Sequence, residues 1–320
     1  MPSEFELIGR YFKHPVTHSV LGVGDDGAII HPAPGMELVI STDMLVAGTH
    51  FLPDTDPASL GWKTLAVNLS DMAAMGALPR WALLALALPN ANQETWLAAF
   101  VSGFFDCAEK FSVDVIGGDT TRGPLNCCVT IMGETPQGKS LLRSGAKPGD
   151  EIWISGATGL AALGLAHLQG KCTLNEPALI NSLSALYRPQ PRVGLGLALR
   201  GLASAAIDIS DGLLADLGHM LESSGVAAKL DFDKLPDAVL QFCPDKELAQ
   251  DCLLAGGDDY ELLFTAPATS RDRINALSEQ LQLALTCIGS IVEGKAGDLM
   301  NTKGQPLDVG CRGYDHFANA

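Results

Sequence analysis

Apolar positions along this chain change their spacing several times, and each change marks an expected element. Phe5, Ile8 and Phe12 recur as one helical face would, so residues 4 to 12 are expected to form a short amphipathic helix. Val39 and Ile40 read as the end of a buried strand. Ser41, Thr42 and Asp43 follow at its tip, ahead of a loop that presents His50. Asp56-Pro57 opens a helix expected to reach about Met75, with Leu60, Leu65, Val67, Leu69 and Met72 as packing residues, Gly76 as terminator and Pro79 beyond. Asn68 and Asp71, three apart, share a face of it. The unbroken apolar run from Trp81 to Leu88 suits a strand buried on both faces, and a helix over about 93 to 110 should follow. Val113 to Ile116 then reads as a short strand leading into Gly117-Gly118-Asp119-Thr120-Thr121.

The second half uses the same grammar. Glu151 to Ile154 starts a strand, and Gly156-Ala157-Thr158-Gly159 leads into an Ala/Leu/Gly-rich helix through Leu168. A glycine-rich helix start can bind an anion, and tight packing explains it equally well. Leu195 to Ala206 is expected to be helical and to run into Ile207-Asp208-Ile209-Ser210-Asp211-Gly212, a second strand end carrying carboxylates. Gly256-Gly257-Asp258-Asp259-Tyr260-Glu261 precedes a further strand, and Gly313 to Phe317 is aromatic enough to fold back. The breaker-rich stretch Ser144 to Asp150 is the best boundary, giving an N-terminal domain over 1–143 and a C-terminal α/β domain over 144–320.

Two motifs are decoys. Gly22-Val23-Gly24-Asp25-Asp26-Gly27 matches a dinucleotide fingerprint, but Pro32, Pro34 and Gly35 leave no room for the required helix, and two carboxylates would face the pyrophosphate. Gly133 to Ser140 matches a P-loop, yet only Leu141, Leu142 and Arg143 separate it from the next breakers, so a turn between strands is expected.

Composition narrows the chemistry. A net charge of -16 with no Lys/Arg cluster argues against nucleic acid or an anionic membrane and suits divalent cations. The 8 cysteines show neither a Cys-x-x-Cys pair nor zinc spacing and read as reduced core thiols. No signal peptide or membrane span is visible, which makes the cytoplasm the expected compartment. Asp26, Asp43, Asp71, Asp119, Asp208 and Asp211 all fall at strand ends, a helix end or beside glycines, in both halves. Hard cations want such oxygens, and several cations between two domains suit phosphoryl transfer from a nucleotide.

Gly24-Asp25-Asp26, Ser41-Thr42-Asp43, Asn68-Leu69-Ser70-Asp71, Gly117-Gly118-Asp119-Thr120-Thr121, Arg143 to Asp150, Asp208-Ile209-Ser210-Asp211-Gly212 and Gly256 to Leu262 together resemble the thiamine-monophosphate kinase family. The match runs from near residue 5 to Phe317. It implies the two-domain aminoimidazole ribonucleotide synthetase-like α/β (α+β) fold, with mixed sheets flanked by helices and the active site in an interdomain cleft. It also implies ATP, several magnesium ions, thiamine monophosphate as acceptor, and a homodimer joined through the N-terminal sheets. By the resemblance, Asp26, Ser41, Thr42, Asp43, Asp71, Asp119 and Asp208 match magnesium ligands, with Asp211 on a further ion. Gly118, Asp119, Arg143 and Ser210 match ATP positions, and His50, Asp258 and Tyr314 match positions holding thiamine phosphate. No general base is expected, because the acceptor phosphate, with a second pKa of about 6, is already largely dianionic at neutral pH. The rivals are another ATP-using enzyme of the same superfamily and a non-catalytic thiamine phosphate-binding protein.

Overall fold

A computed structural model describes residues 4–89, 94–307 and 313. The chain folds as two compact units, Met1–Met72 with Ala77–Gly138, and Ala73–Gly76 with Lys139–Ala320. In the first, α1 (Glu4–Leu7) continues as a π-helical stretch, Ile8–Phe12, where a plain helix is expected. The short strands β1 (Ser19–Leu21) and β2 (Ile29–Ile30) pair antiparallel. Then come β3 (Met36–Val46), α2 (Pro57–Ala74), β4 (Leu78–Leu88), α3 (Glu94–Lys110), β5 (Asp114–Arg122) and β6 (Asn126–Pro136). The four long strands make a mixed sheet in the order β3-β6-β4-β5, in which β4 and β5 alone run parallel.

Helix α2 meets the sheet through Met72, whose sulfur lies against Gly133 of β6, and crosses α3 closely. A methyl group at Gly61 would collide with the Phe100 carbonyl, and one at Gly103 with the Ala58 carbonyl, so these glycines set the distance between the two helices. On β6, Cys127, Val129 and Ile131 are buried while Cys128, Thr130 and Met132 are half-buried, the alternation expected of a strand whose two faces differ. Burial pushes the Cys127 thiol up to about 12, in keeping with an inert core residue. No described cysteine is in a disulfide.

Strand β3 departs from expectation. It does not end at Ile40 but runs on to Val46, and as an edge strand it buries Val39 and Leu45 while Met36, Leu38, Ile40 and Met44 on its other face stay exposed, Ile40 at 60%. Likewise β5 does not stop before the glycines: Gly117 to Arg122 remain paired with β4. Gln137-Gly138 turns the chain after β6, and no helix starts at Lys139, as expected for a P-loop decoy.

The second unit begins with β7 (Asp150–Ser155), followed by α4 (Leu160–Leu168), α5 (Ala178–Tyr187), α6 (Val193–Leu199), β8 (Ala205–Asp208), α7 (Leu213–Ser224), β9 (Ala227–Leu230), α8 (Ala238–Phe242), α9 (Lys246–Ala255), β10 (Leu262–Pro267), α10 (Arg271–Leu281), β11 (Leu285–Val292) and β12 (Leu299–Asn301). Its mixed sheet has the order β12-β9-β11-β7-β10-β8, parallel only between β12 and β9. Every residue of β7 is buried, which fits its place inside the sheet. Ile152, Ile154, Ile207, Leu217, Met220, Leu263 and Ile288 form its core. The helix expected over Leu195 to Ala206 stops at Leu199. Gly201 takes a left-handed φ of 69°, and Ala205 and Ala206 are drawn into pairing with Thr265 and Phe264. Ladder bonds on a buried strand outweigh two more helical turns.

Candidate active site

In the first unit the sequence-predicted oxygens divide between two faces of one sheet. Ser41 and Asp43 share the face of Val39 and Leu45, turned toward α2. The Ser41 hydroxyl donates to Asp71 Oδ2 at 2.6 Å, and the Asp43 amide donates to Asn68 Oδ1 at 3.2 Å. Asn68 and Asp71, placed on one helical face by their spacing, therefore both reach β3. Thr42 points the other way and meets Thr130 Oγ1 at 2.9 Å. Asp119 lies on that second face as well, since its register partner Ala85 pairs with Cys128, a residue of the Thr130 side. Asp25, Asp26, Gly118, Asp119, Cys128 and Thr130 line one cavity of about 890 Å³. Among the described residues no three His, Cys, Asp or Glu side chains converge as a metal centre, consistent with this division.

Two carboxylates that sequence reasoning overlooked hold the Asp25-Asp26 turn's own segment in place. Asp114 accepts from the amides of Thr17 and His18 at 2.9 and 2.6 Å and from the hydroxyls of Thr17 and Ser19, both at 3.0 Å. Burial acts to raise its pKa, but these donors outweigh it and hold the group below the usual carboxylate range. Glu134 takes the Ala33 amide at 2.6 Å and Arg80 Nε at 3.0 Å. The available signal was an acidic residue at the start of β5 and another near the end of β6.

Gly118 sits at φ 151°, and a methyl group there would meet the Leu84 carbonyl. Packing between β5 and β4 therefore excludes a side chain at this position. His50 closes the loop after β3: the Val46 amide donates to its Nδ1 at 3.0 Å, which puts the ring proton on Nε2.

In the second unit Asp208 is buried at the end of β8, and Ser210 and Asp211 follow in a turn. Three successive amides, of Ser210, Asp211 and Gly212, donate to Asp216 Oδ2 at 3.0 to 3.2 Å. Asp216, another residue not singled out from sequence, is raised to about 7, first by burial and then by the charges of Asp208 and Asp211. The adjoining Gly256 to Glu261 segment is zipped to this turn. The Asp258 amide donates to Ser210 O, the Tyr260 amide to Ile209 O, and the Ile209 amide to Glu261 O, each at 2.8 Å.

The glycine-rich start of α4 is occupied by the protein's own carboxylate. The Gly159 amide donates to both oxygens of Asp259, at 2.9 and 2.7 Å. Burial, aided by Glu261 and Asp258, pushes Asp259 well above the usual range despite those bonds. Glu261 in turn accepts from Ser155 Oγ at 2.5 Å and from Arg192 Nε at 2.6 Å and Nη2. Of the open readings for Gly156 to Gly159, packing holds: a methyl group at Gly156 would strike Glu261. Arg143 is exposed, its carbonyl 3.4 Å from Ser224 Oγ. Tyr314 lies outside the described residues.

Comparison with known proteins places these features in a family. The model for AIR synthase related protein, N-terminal domain, matches residues 24–135, and that for the C-terminal domain matches residues 147–300. A thiamine-monophosphate kinase of Salmonella typhimurium is 47% identical, covering 98% of each chain. A solved thiamine-monophosphate kinase from Stenotrophomonas maltophilia K279a is 47% identical with a TM-score of 0.84, over 91% of this chain and 92% of its own. AaThiL, solved complexed with AMPPCP and TMP, is 31% identical with a TM-score of 0.79, over 98% of this chain and 96% of its own.

Proposed function

Since the chain belongs to the thiamine-monophosphate kinase family and is a phosphotransferase of that kind, we propose that it carries the γ-phosphoryl group of ATP to thiamine monophosphate by direct in-line transfer, with magnesium, giving thiamine diphosphate. The observation that carries the reading is the donor set. Along β3, β5 and α2 in the first unit, and at the end of β8 in the second, the predicted ligands are carboxylate and hydroxyl oxygens, which suit a hard cation and not a soft one. AaThiL, bound to AMPPCP and TMP, supports the pair of substrates.

In this reading Asp26, Asp119 and Thr42, on one face of the first sheet, Ser41, Asp43 and Asp71, on the other, and Asp208 would hold magnesium ions, while Asp211 would hold a further one. Bound magnesium would supply charge neutralisation between two anions that otherwise repel. The chain's own part is positioning. Gly118, Arg143 and Ser210 contact ATP, Arg143 adding positive charge, while His50, Asp258 and Tyr314 hold thiamine monophosphate. His50, with its proton on Nε2, can donate to the acceptor without exchanging a proton. No general base is assigned, because the acceptor phosphate is already ionised.

The exposed apolar stripe Met36, Leu38, Ile40 and Met44 on edge strand β3 supports a homodimer through the first-unit sheets, since such a stripe is costly to leave in water. No described helix is long and apolar enough to cross a membrane. The net charge of -16 supports small anionic ligands held through cations over nucleic acid, and cytoplasmic action is part of the proposal.

Purified protein given ATP and magnesium should form thiamine diphosphate from thiamine monophosphate and nothing from thiamine, whose hydroxyl would need a base. Chromatography of the products decides it. Thiamine monophosphate appearing from thiamine, or no diphosphate appearing from the monophosphate, would overturn the assignment.

A further inference from the structure

Asp258 and Tyr260 both adopt left-handed backbone conformations, with φ of 71° and 53°. For a bulky residue such as tyrosine this is a genuine outlier, and it persists only where the surroundings over-determine it. Here they do: the amides of both residues are fixed on the carbonyls of Ser210 and Ile209, each at 2.8 Å. The double left-handed bend turns the Asp259 carboxylate to Gly159 and brings the Tyr260 ring, 8% exposed, back over Asp258, where its hydroxyl donates to Oδ1 at 2.9 Å.

We propose that Tyr260 is a positioning residue for the acceptor: its phenol holds one oxygen of Asp258 and thereby aims the other at the cationic or amino-bearing part of thiamine monophosphate. This rests on the reading of Asp258 as a substrate residue and deepens it. A carboxylate repels the phosphate end of the acceptor, so the attraction Asp258 offers is for the thiazolium charge or the pyrimidine amino group. A side chain of two free torsions loses affinity unless its rotamer is set in advance. The phenol sets it without adding charge, and the backbone hydrogen bonds that fix the turn keep the phenol there.

The test uses the full chain with ATP, magnesium and thiamine monophosphate, and compares Tyr260→Phe with Asp258→Asn. Phe keeps the ring and the backbone and removes only the donor. Tyr260→Phe should raise KM for thiamine monophosphate about tenfold, the worth of one hydrogen bond to a charged group. KM for ATP should stay within about twofold and Tm nearly unchanged. Asp258→Asn should raise the same KM at least as much. If Asp258→Asn leaves that KM unchanged, both readings fall. If Asp258→Asn raises it and Tyr260→Phe does not, only the role of Tyr260 falls. Equal rises in both KM values of Tyr260→Phe, with a lowered Tm, would make the tyrosine a packing residue and overturn the proposal.

Discussion

Replacing Arg192 with Met leaves Glu261 buried beside Ser155 without its cation, and the structure allows the cost to be worked out. The guanidinium reaches Glu261 through Nε at 2.6 Å and also through Nη2, a two-pronged contact in which the side chains are 26% and 8% exposed. Burial alone would lower the proton affinity of Arg192, yet the hydrogen bond and charge of Glu261 more than reverse it. Removing one partner of a buried ion pair costs about 3–5 kcal/mol, chiefly because the remaining charge is stranded. With Arg192 about a quarter open to water the lower end, about 3 kcal/mol, is expected. For a unit of this size that is a fall in Tm of roughly 6–12 °C.

A stranded charge also fixes how the double variant should behave. Arg192→Met with Glu261→Leu removes both charges, so it should recover much of the loss and come within about 1–2 kcal/mol of the parent, far from the sum of the single changes. Chemical denaturation of the parent, both single variants and the double variant closes this cycle. A loss for Arg192→Met under about 0.5 kcal/mol, or strictly additive changes, would refute the reasoning that Arg192 is what keeps the buried Glu261 charge from being stranded.

Two further outcomes are expected. Asp71→Asn keeps an oxygen for the Ser41 hydroxyl but halves the charge available to a cation, so turnover should fall by at least about a hundredfold with apo Tm nearly unchanged. A matching loss of apo stability would make Asp71 a structural cap. Asp259 has a folded pKa well above its unfolded value of about 3.9, so across that interval the folded state binds the extra proton, and stability declines as pH rises through it. Asp259→Asn cannot titrate and should flatten the decline of Tm with pH in metal-free protein. Parallel slopes for parent and variant would place the pH dependence elsewhere.

What the chain determines locally was legible in the sequence. The helix that became Pro57–Ala74, the strand core Trp81–Leu88 and the helix Glu94–Lys110 each hold one period over many residues with breakers at their ends, so local preference and tertiary packing agree. The order of the Asp-rich blocks was likewise enough to point to the family, because each block is contiguous. Tertiary structure alone decided the rest. Ile40 reads as core beside Val39, but burial on a strand depends on its neighbours, and β3 is at an edge. Ser41, Thr42 and Asp43 read as one cluster, yet strand alternation sends the middle residue to the opposite face. The partners of Asp114, Asp216, Asp259 and Glu261 were hidden because a buried carboxylate is satisfied by whichever amides, hydroxyls or cations the fold brings to it. Of these, Asp114 draws on donors 95 to 97 residues away in the chain, Glu261 on donors 69 and 106 residues away, Asp259 on Gly159 100 residues away, and only Asp216 is served from its own turn.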